Sequence, residues 1–108
     1  MAGVTISSLS TQYVQVPVRV WSQGVPYNPT GLTVQMAFVS GWSGPTDDDW
    51  NTASWASTST VNGFYLAQCL VGPGSGAVDL AVGTWNVWTL VEGDPEEPVQ
   101  VSGTLTIT

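Results

Sequence analysis

The sequence predicts an all-β protein, an antiparallel β-sandwich of about seven strands with negligible helix. Several segments alternate apolar and polar residues with a period of two, and turns rich in Gly and Pro separate them. No window holds apolar residues at the helical spacing i, i+3, i+4 and i+7. A closed barrel would fit the same pattern. We favour a sandwich because a strand with one polar face stands beside strands that are apolar on both faces.

The length of 108 residues fits one domain with one hydrophobic core. Val4 and Ile6 allow a strand near the start, so residues 1–10 are predicted to be an N-terminal arm or short strand. Residues 11–108 are predicted to form the sandwich. Whether the arm packs on its own domain or reaches a neighbouring subunit stays open.

Two segments in the first half show strict alternation and predict strands over residues 12–20 and 32–39. Their apolar faces consist of Val14, Val16, Val18 and Val20 in the first and of Leu32, Val34, Met36 and Phe38 in the second. Pro17 cannot donate a ladder hydrogen bond, so the first strand should lie at a sheet edge or break there. Residues 22–31 are rich in turn formers and predict a connector.

The middle of the chain is less regular. Residues 40–60 are small and polar apart from three tryptophans, which predicts a loop followed by a strand from about Trp50 to Ser57. Residues 62–71 are apolar on both faces and predict a central strand. A flexible turn over 72–76 and a short strand or extended corner over 77–82 should follow.

The last 25 residues, 84–108, predict two strands joined by an acidic turn. One face of the final strand is predicted to hold Val99, Val101, Leu105 and Ile107. In the strand before it, Trp85, Val87 and Val91 alternate toward the core, whereas Trp88 and Leu90 point the opposite way. Something other than the core must therefore cover Trp88.

Charge excludes several functions. Arg19 is the one cation beside eight acidic residues and no His, giving a net charge of -7. Because one cation releases too few counterions from phosphates, nucleic acid is not an expected partner. No apolar run reaches the ~18 residues that cross a bilayer, and the N-terminus lacks the features of a signal peptide. We therefore expect no membrane partner and synthesis in the cytosol.

No catalytic residue can be assigned. Without His or Lys, the common nucleophile and base combinations cannot be assembled within this chain. Cys69 is alone and lies in an apolar strand, which predicts a buried thiol with a raised pKa. The carboxylates lie in loops that should be solvated, so we expect no carboxylate pair, cofactor or metal site. For Asp47–Asp49, a solvated loop is favoured over a weak calcium site.

Six tryptophans in a chain of this size are the strongest positive signal. A small sandwich should not bury them all, and aromatic rings with a polar atom favour interfaces and sugar platforms. Trp88 could be covered by the 40–60 loop, by a partner subunit or by a carbohydrate. The interface candidates are Trp88, Leu90, Trp42, Trp50, Trp55 and Trp21.

The scarcity of cations also leaves sheet edges with little protection, since Lys is a common edge defence. A chain with such edges should associate, either with copies of itself or with subunits of a larger assembly. These features favour a homo-oligomeric structural protein over an independent binding module. A carbohydrate-binding module, which would use Trp42, Trp50 and Trp55, stays open as the alternative.

Short motifs resemble a known family. Residues 80–87, LAVGTWNV, are similar to the start of the penultimate strand in many immunoglobulin-like sandwiches, and residues 91–107 resemble the closing hairpin of small immunoglobulin-like virion proteins of tailed bacteriophages. Gly31-Leu32-Thr33-Val34 is similar to the second strand of baseplate upper protein N-terminal domains. The resemblance implies an immunoglobulin-like sandwich located in the virion, as a capsid decoration or accessory head protein. A tail or baseplate subunit is the alternative.

Overall fold

The chain forms an all-β structure, as predicted. A computed structural model describes residues 2–22, 25–41, 43–56, 64–93 and 97–108. The strands are β1 (Ala2–Ile6), β2 (Gln12–Val18), β3 (Val20–Ser22), β4 (Val25–Tyr27), β5 (Thr33–Val39), β6 (Trp50–Thr52), β7 (Ser54–Trp55), β8 (Tyr65–Val71), β9 (Gly83–Glu92) and β10 (Val99–Ile107). Two 3₁₀ turns, Pro29–Gly31 and Asp47–Asp49, are the helical elements of these ranges, and neither could span a membrane.

Two sheets make up the sandwich, and a small ribbon stands beside them. The five-stranded sheet has the order β1-β10-β9-β5-β6, the three-stranded sheet has the order β2-β8-β7, and β3 pairs with β4. β1 runs parallel to β10, and every other strand pair is antiparallel. The described residues thus hold ten strands rather than about seven, because several are only two or three residues long.

The core lies between the inner faces of the two main sheets. Its buried side chains are Ile6, Val14, Val16, Val18, Val20, Val34, Met36, Phe38, Ala67, Cys69, Val71, Val87, Val91, Leu105 and Ile107. The alternation predicted for the first two strands is confirmed, since their apolar faces supply about half of this core. Branched side chains fit the pleated surface of a strand, which explains why valine dominates the core.

Pro17 lies in an edge strand, where a residue without a backbone N–H is tolerated. β2 pairs with β8 alone and forms an edge of the three-stranded sheet, with Pro17 opposite Leu66. An edge strand can hold a residue without an N–H because one of its sides needs no ladder partner. β8, between β2 and β7, is the central strand that residues 62–71 predicted.

A β-bulge in β10 overturns one prediction. Val101 is opposite Trp88 and Gly103 is opposite Val87, so Ser102 is an extra residue in the ladder. Because side chains alternate with a period of two, one extra residue reverses which face the preceding residues occupy. Val99 and Val101 therefore do not share the inner face with Leu105 and Ile107, which are buried in the core.

Three segments are more divided than predicted. The strand expected over residues 12–20 is β2 and β3, which belong to different sheets and are separated by Arg19. The strand expected from Trp50 to Ser57, of which Ser57 lies outside the described residues, is two strands in different sheets, because β6 pairs with β5 and β7 pairs with β8. Ala53 lies between them, and its N–H donates to the carbonyl oxygen of Val34 at 3.1 Å. The connector over 22–31 contains β4, which pairs with β3, and a 3₁₀ turn.

Candidate interaction surface

The outer face of the five-stranded sheet, the face turned away from the core, carries several large apolar side chains. β9 positions two of its side chains. Val87 and Val91 are buried inward, so Trp88 and Leu90 point outward, as the sequence predicted. Both outward side chains are partly buried rather than fully covered.

Trp88 lies in a row that crosses four neighbouring strands. Its register partners are Val101 on β10 and Ala37 on β5, and Ala37 is in turn opposite Trp50 on β6. Directly opposed residues in an antiparallel pair have Cβ atoms about 4.5–5.5 Å apart on the same face. The register thus sets two indoles on either side of one small residue.

The residues of this row cover one another. Ala37 is fully buried although it lies on the outer face. Trp88 and Trp50 are partly buried, and the indole nitrogen Nε1 of Trp88 is buried with no hydrogen-bond partner. A buried donor without a partner costs about 1–3 kcal/mol of stability. Trp88 is therefore held by packing and not by a polar contact.

The next row extends the apolar surface. Leu90 is opposite Val99 on β10 and opposite Gln35 on β5. Val99 is 48% exposed, one of the few large apolar side chains in the described residues with such exposure. We call the set Val99, Val101, Trp88, Leu90 and Trp50 the outer patch.

Acidic groups border the outer patch at two sides. Asp47 and Asp48 are exposed in the 3₁₀ turn that immediately precedes Trp50. Glu92, which is also exposed, follows Leu90 on the outer face and accepts a hydrogen bond from Nε2 of Gln35. We call Asp47, Asp48 and Glu92 the acidic rim. The five strands of this sheet contain no Lys or Arg, so the border of the outer patch is negative.

Asp49 has a structural role instead. Its Oδ2 atom accepts hydrogen bonds from the N–H of Thr46 at 2.8 Å and from the Thr46 hydroxyl at 3.1 Å. These bonds satisfy groups at the start of the turn, as in a capping box. The turn fixes the direction in which the chain enters β6 and thereby positions Trp50.

The other tryptophans are distributed differently. Trp55 packs against the core and donates its Nε1 hydrogen to the carbonyl oxygen of Leu32 at 2.9 Å. Trp85 also packs against the core and donates to the carbonyl oxygen of Ala81 at 3.0 Å. The structure thus brings Trp50 and Trp88 onto one face and places Trp55 elsewhere. Trp42 and the side chain of Trp21 lie outside the described part of the chain.

Cys69 is buried, as the sequence predicted. It is 5% exposed, and burial raises the pKa of its thiol because the charged thiolate loses solvation. Its Sγ atom lies 3.9 Å from the carbonyl oxygen of Thr52. The adjacent cleft, of about 500 Å³, is lined by uncharged residues that include Tyr13 and Gln68. Nothing in this lining would activate the thiol as a nucleophile.

Arg19, the chain's one cation, lies between β2 and β3, and its carbonyl oxygen accepts a hydrogen bond from Nε2 of Gln100 on β10 at 3.3 Å. Its guanidinium carbon is 4.5 Å from the ring centroid of Phe64, a distance typical of a cation–π contact. Neither residue belongs to the five-stranded sheet.

In comparisons with known proteins, no protein-family model, curated protein or solved structure matches this chain. Function must be inferred from the surface alone. What this surface can do chemically is to bind through apolar contact bordered by negative charge.

The sequence alone misplaces two residues of the outer patch. Alternation without a bulge predicts Val99 and Val101 on the core face, and it predicts Ala37 on the outer face without showing that Ala37 lies between Trp88 and Trp50. The available signal was Gly103, since a glycine inside a strand often marks a bulge.

Proposed function

We propose that the sandwich has immunoglobulin-like topology. In that fold a sheet formed by strands G, F and C, extended by C′ in the variable type, packs on a sheet containing B, E and D. Lettered along the chain, β2, β5, β6, β7, β8, β9 and β10 would be strands B, C, C′, D, E, F and G. One sheet then contains G, F, C and C′ as neighbours, and the other contains B, E and D. The ribbon of β3 and β4 would then be an insertion in the loop between strands B and C.

Trp85 supports this topology. Immunoglobulin-like domains often have a tyrosine corner, in which a Tyr near the start of strand F bonds to the backbone a few residues upstream. Trp85 is the third residue of β9, and its Nε1 donates to the carbonyl oxygen of Ala81, four residues upstream. Val87, two residues later, is fully buried at the position where antibody domains have a cysteine.

We further propose that the protein is a non-enzymatic structural component of a phage particle, as a capsid decoration or accessory head protein that binds the shell and neighbouring subunits. The outer patch is the observation that carries this proposal. Interfaces concentrate aromatic and apolar residues at their centre and polar residues at their rim, and the outer patch with the acidic rim has this arrangement.

The acidic rim suggests the chemistry of the bound subunit. Asp47, Asp48 and Glu92 would be complemented by Lys or Arg side chains around an apolar surface of the partner. Complementary charges mainly raise the rate of association, and salt screens them within about 10 Å at 0.1 M. Binding should therefore slow as ionic strength increases, while the apolar contact maintains the complex once it has formed.

Electron microscopy tests the proposal directly. Particles assembled with the protein should show additional density at fixed positions on the shell, and particles assembled without it should lack that density. Identical shells in the two preparations would refute a decoration role. Extra density on the tail or baseplate would support the alternative of a tail or baseplate subunit.

A carbohydrate-binding module remains the second candidate because Trp50 and Trp88 share one partly exposed face. Flat aromatic surfaces with a polar atom suit sugar rings. Binding on a glycan array that disappears in Trp50→Ala, with the fold retained, would favour this function. Trp55 would not contribute to such a platform, since its indole packs against the core.

A further inference from the structure

The edges of the two main sheets differ in how well they are protected against pairing with another strand. β2 carries Pro17, β7 is two residues long, and β6 is three residues long and follows three aspartates. Proline, brevity and charge are the usual means by which proteins prevent a second strand from adding to an edge. β1, the fourth edge, is five residues long and has neither proline nor charge. Among the described strands, β1 is therefore the one edge of the two main sheets that lacks protection.

The free side of β1 presents backbone groups at known positions. The N–H of Thr108 donates to the carbonyl oxygen of Ile6 at 3.0 Å, and the N–H of Ser8 donates to that of Thr108 at 2.9 Å. Ile6 therefore directs its backbone groups toward β10. Because these directions alternate along a strand, Gly3 and Thr5 direct theirs away from the sheet. In the described part of the chain, no strand pairs with that side.

Charged side chains are also absent from β1 and from the segment that follows it. The first 18 residues contain no charged side chain, although the whole chain has a net charge of -7. Asp47–Asp49 precede β6, at the opposite edge of the same sheet and four strand spacings from β1, which is roughly 19 Å. That separation exceeds the Debye length of about 8 Å at physiological ionic strength. Two copies can thus approach through β1 without bringing these acidic groups together.

We infer that β1 pairs antiparallel with β1 of a second copy, joining two five-stranded sheets into one continuous sheet. The same edge serves both copies, so the contact is isologous and closes at a dimer. Leu9, which is 89% exposed just after β1, supplies apolar surface beside the new strand pair. Since the other edges are protected, growth stops at two copies and does not continue into a fibre.

This dimer does not depend on the proposed virion function, and it leaves the outer patch of each copy free for another partner. The outer patch lies on β10, β9 and β6, whereas the dimer uses the edge of β1. A failure of the dimer would therefore not affect the docking proposal, and a failure of docking would not affect the dimer.

Sedimentation velocity on the purified protein tests the inference over about a hundredfold range of concentration. The wild type should shift from monomer to dimer. Thr5→Pro removes an outward N–H and leaves the bonds to β10 in place, so the monomer should stay folded while the dimer weakens by about tenfold or more. Thr5→Val, which keeps the N–H, should dimerise like the wild type.

A second pair of variants tests the inference independently, in case Thr5→Pro fails to fold. Thr5, Thr106 and Thr84 form one row across β1, β10 and β9, and both Thr5 and Thr84 are exposed. Thr5→Lys should weaken the dimer, whereas Thr84→Lys adds the same charge two strands inward and should not. A wild type that is monomeric throughout, or Thr5→Pro and Thr5→Lys variants that dimerise like the wild type, would overturn the inference. The latter result would also be expected if β1 were exchanged between copies.

Discussion

Val101 and Trp88 are opposite each other on the outer face of the five-stranded sheet, whereas Leu105 and Trp85, four and three residues away, are opposite each other on the inner face. The bulge at Ser102 makes this possible, because it reverses the alternation of β10 between the two pairs. One extra residue thus provides apolar neighbours for Trp88 that a regular strand would have directed into the core.

The bulge is stabilised by a buried pair of hydroxyls. The Thr89 and Ser102 side-chain oxygens lie 2.7 Å apart, and both residues are buried. Thr89→Val or Ser102→Ala alone should lower the free energy of unfolding by about 1–3 kcal/mol, because each leaves the other hydroxyl unpaired. Urea denaturation of the purified variants measures this change.

The double variant, Thr89→Val with Ser102→Ala, completes the thermodynamic cycle. It should cost no more than the worse single variant, since no unpaired hydroxyl remains. Additive losses would show that the two hydroxyls are not energetically coupled, and that something else fixes the bulge.

Three tryptophans allow a matched comparison of indole hydrogen bonds. The Nε1 atoms of Trp55 and Trp85 donate to backbone carbonyls, whereas Nε1 of Trp88 is buried without a partner. Each Trp→Phe change removes ring area, but only the first two also remove a hydrogen bond, which contributes about 0.5–1.5 kcal/mol. Trp88→Phe should therefore destabilise the fold least. Thermal and urea unfolding of the three variants would rank them.

An equal or larger loss for Trp88→Phe would contradict this assignment. It would mean that Nε1 of Trp88 has a partner in solution, such as an ordered water. Trp85→Phe also removes the hydrogen bond to the carbonyl oxygen of Ala81, which fixes the corner before β9.

Much of the fold was predictable because burial imposes a period of two on each strand. Val14, Val16 and Val18 mark an inner face without ambiguity, and Pro17 restricts the strand that contains them to an edge. The parallel pairing of β1 with β10 could not be predicted, because it joins the two ends of the chain and leaves no local pattern.

The outer patch was predictable only in part. The outward direction of Trp88 and Leu90 follows from alternation along β9, whereas the contribution of Val99 and Val101 depends on the bulge. Trp50 and Trp55 are five residues apart, yet they belong to different sheets because the chain crosses between sheets at Ala53. Short polar segments carry no periodicity that would reveal such a crossing.

Cys69 should make stability depend on pH in the alkaline range. Burial raises the pKa of its thiol in the folded state, while the unfolded thiol ionises near its usual value of about 8.5. The stabilisation linked to this thiol is fully present below pH ~8.5 and is lost as pH rises through the folded pKa. The free energy of unfolding of the wild type should therefore decline in that range.

Cys69→Ala is the control for this effect, since it removes the titrating group. The difference in stability between the wild type and Cys69→Ala should change as pH rises above about 8.5. A constant difference would exclude the linkage. Iodoacetamide should also modify Cys69 slowly in the folded protein and rapidly in urea, because the thiolate is the reactive form.

The central claim is that the outer patch docks the protein on a larger particle, and binding of two valine variants to phage particles assembled without the protein tests it most directly. Val99 is 48% exposed in the outer patch, and Val82 is 68% exposed in the corner before β9. Both change to Asn without a change in charge. Co-sedimentation isotherms should show about tenfold weaker binding for Val99→Asn, the loss expected when about 1.5 kcal/mol of apolar burial is removed, and unchanged binding for Val82→Asn. Equal affinities for Val99→Asn and the wild type would contradict the claim.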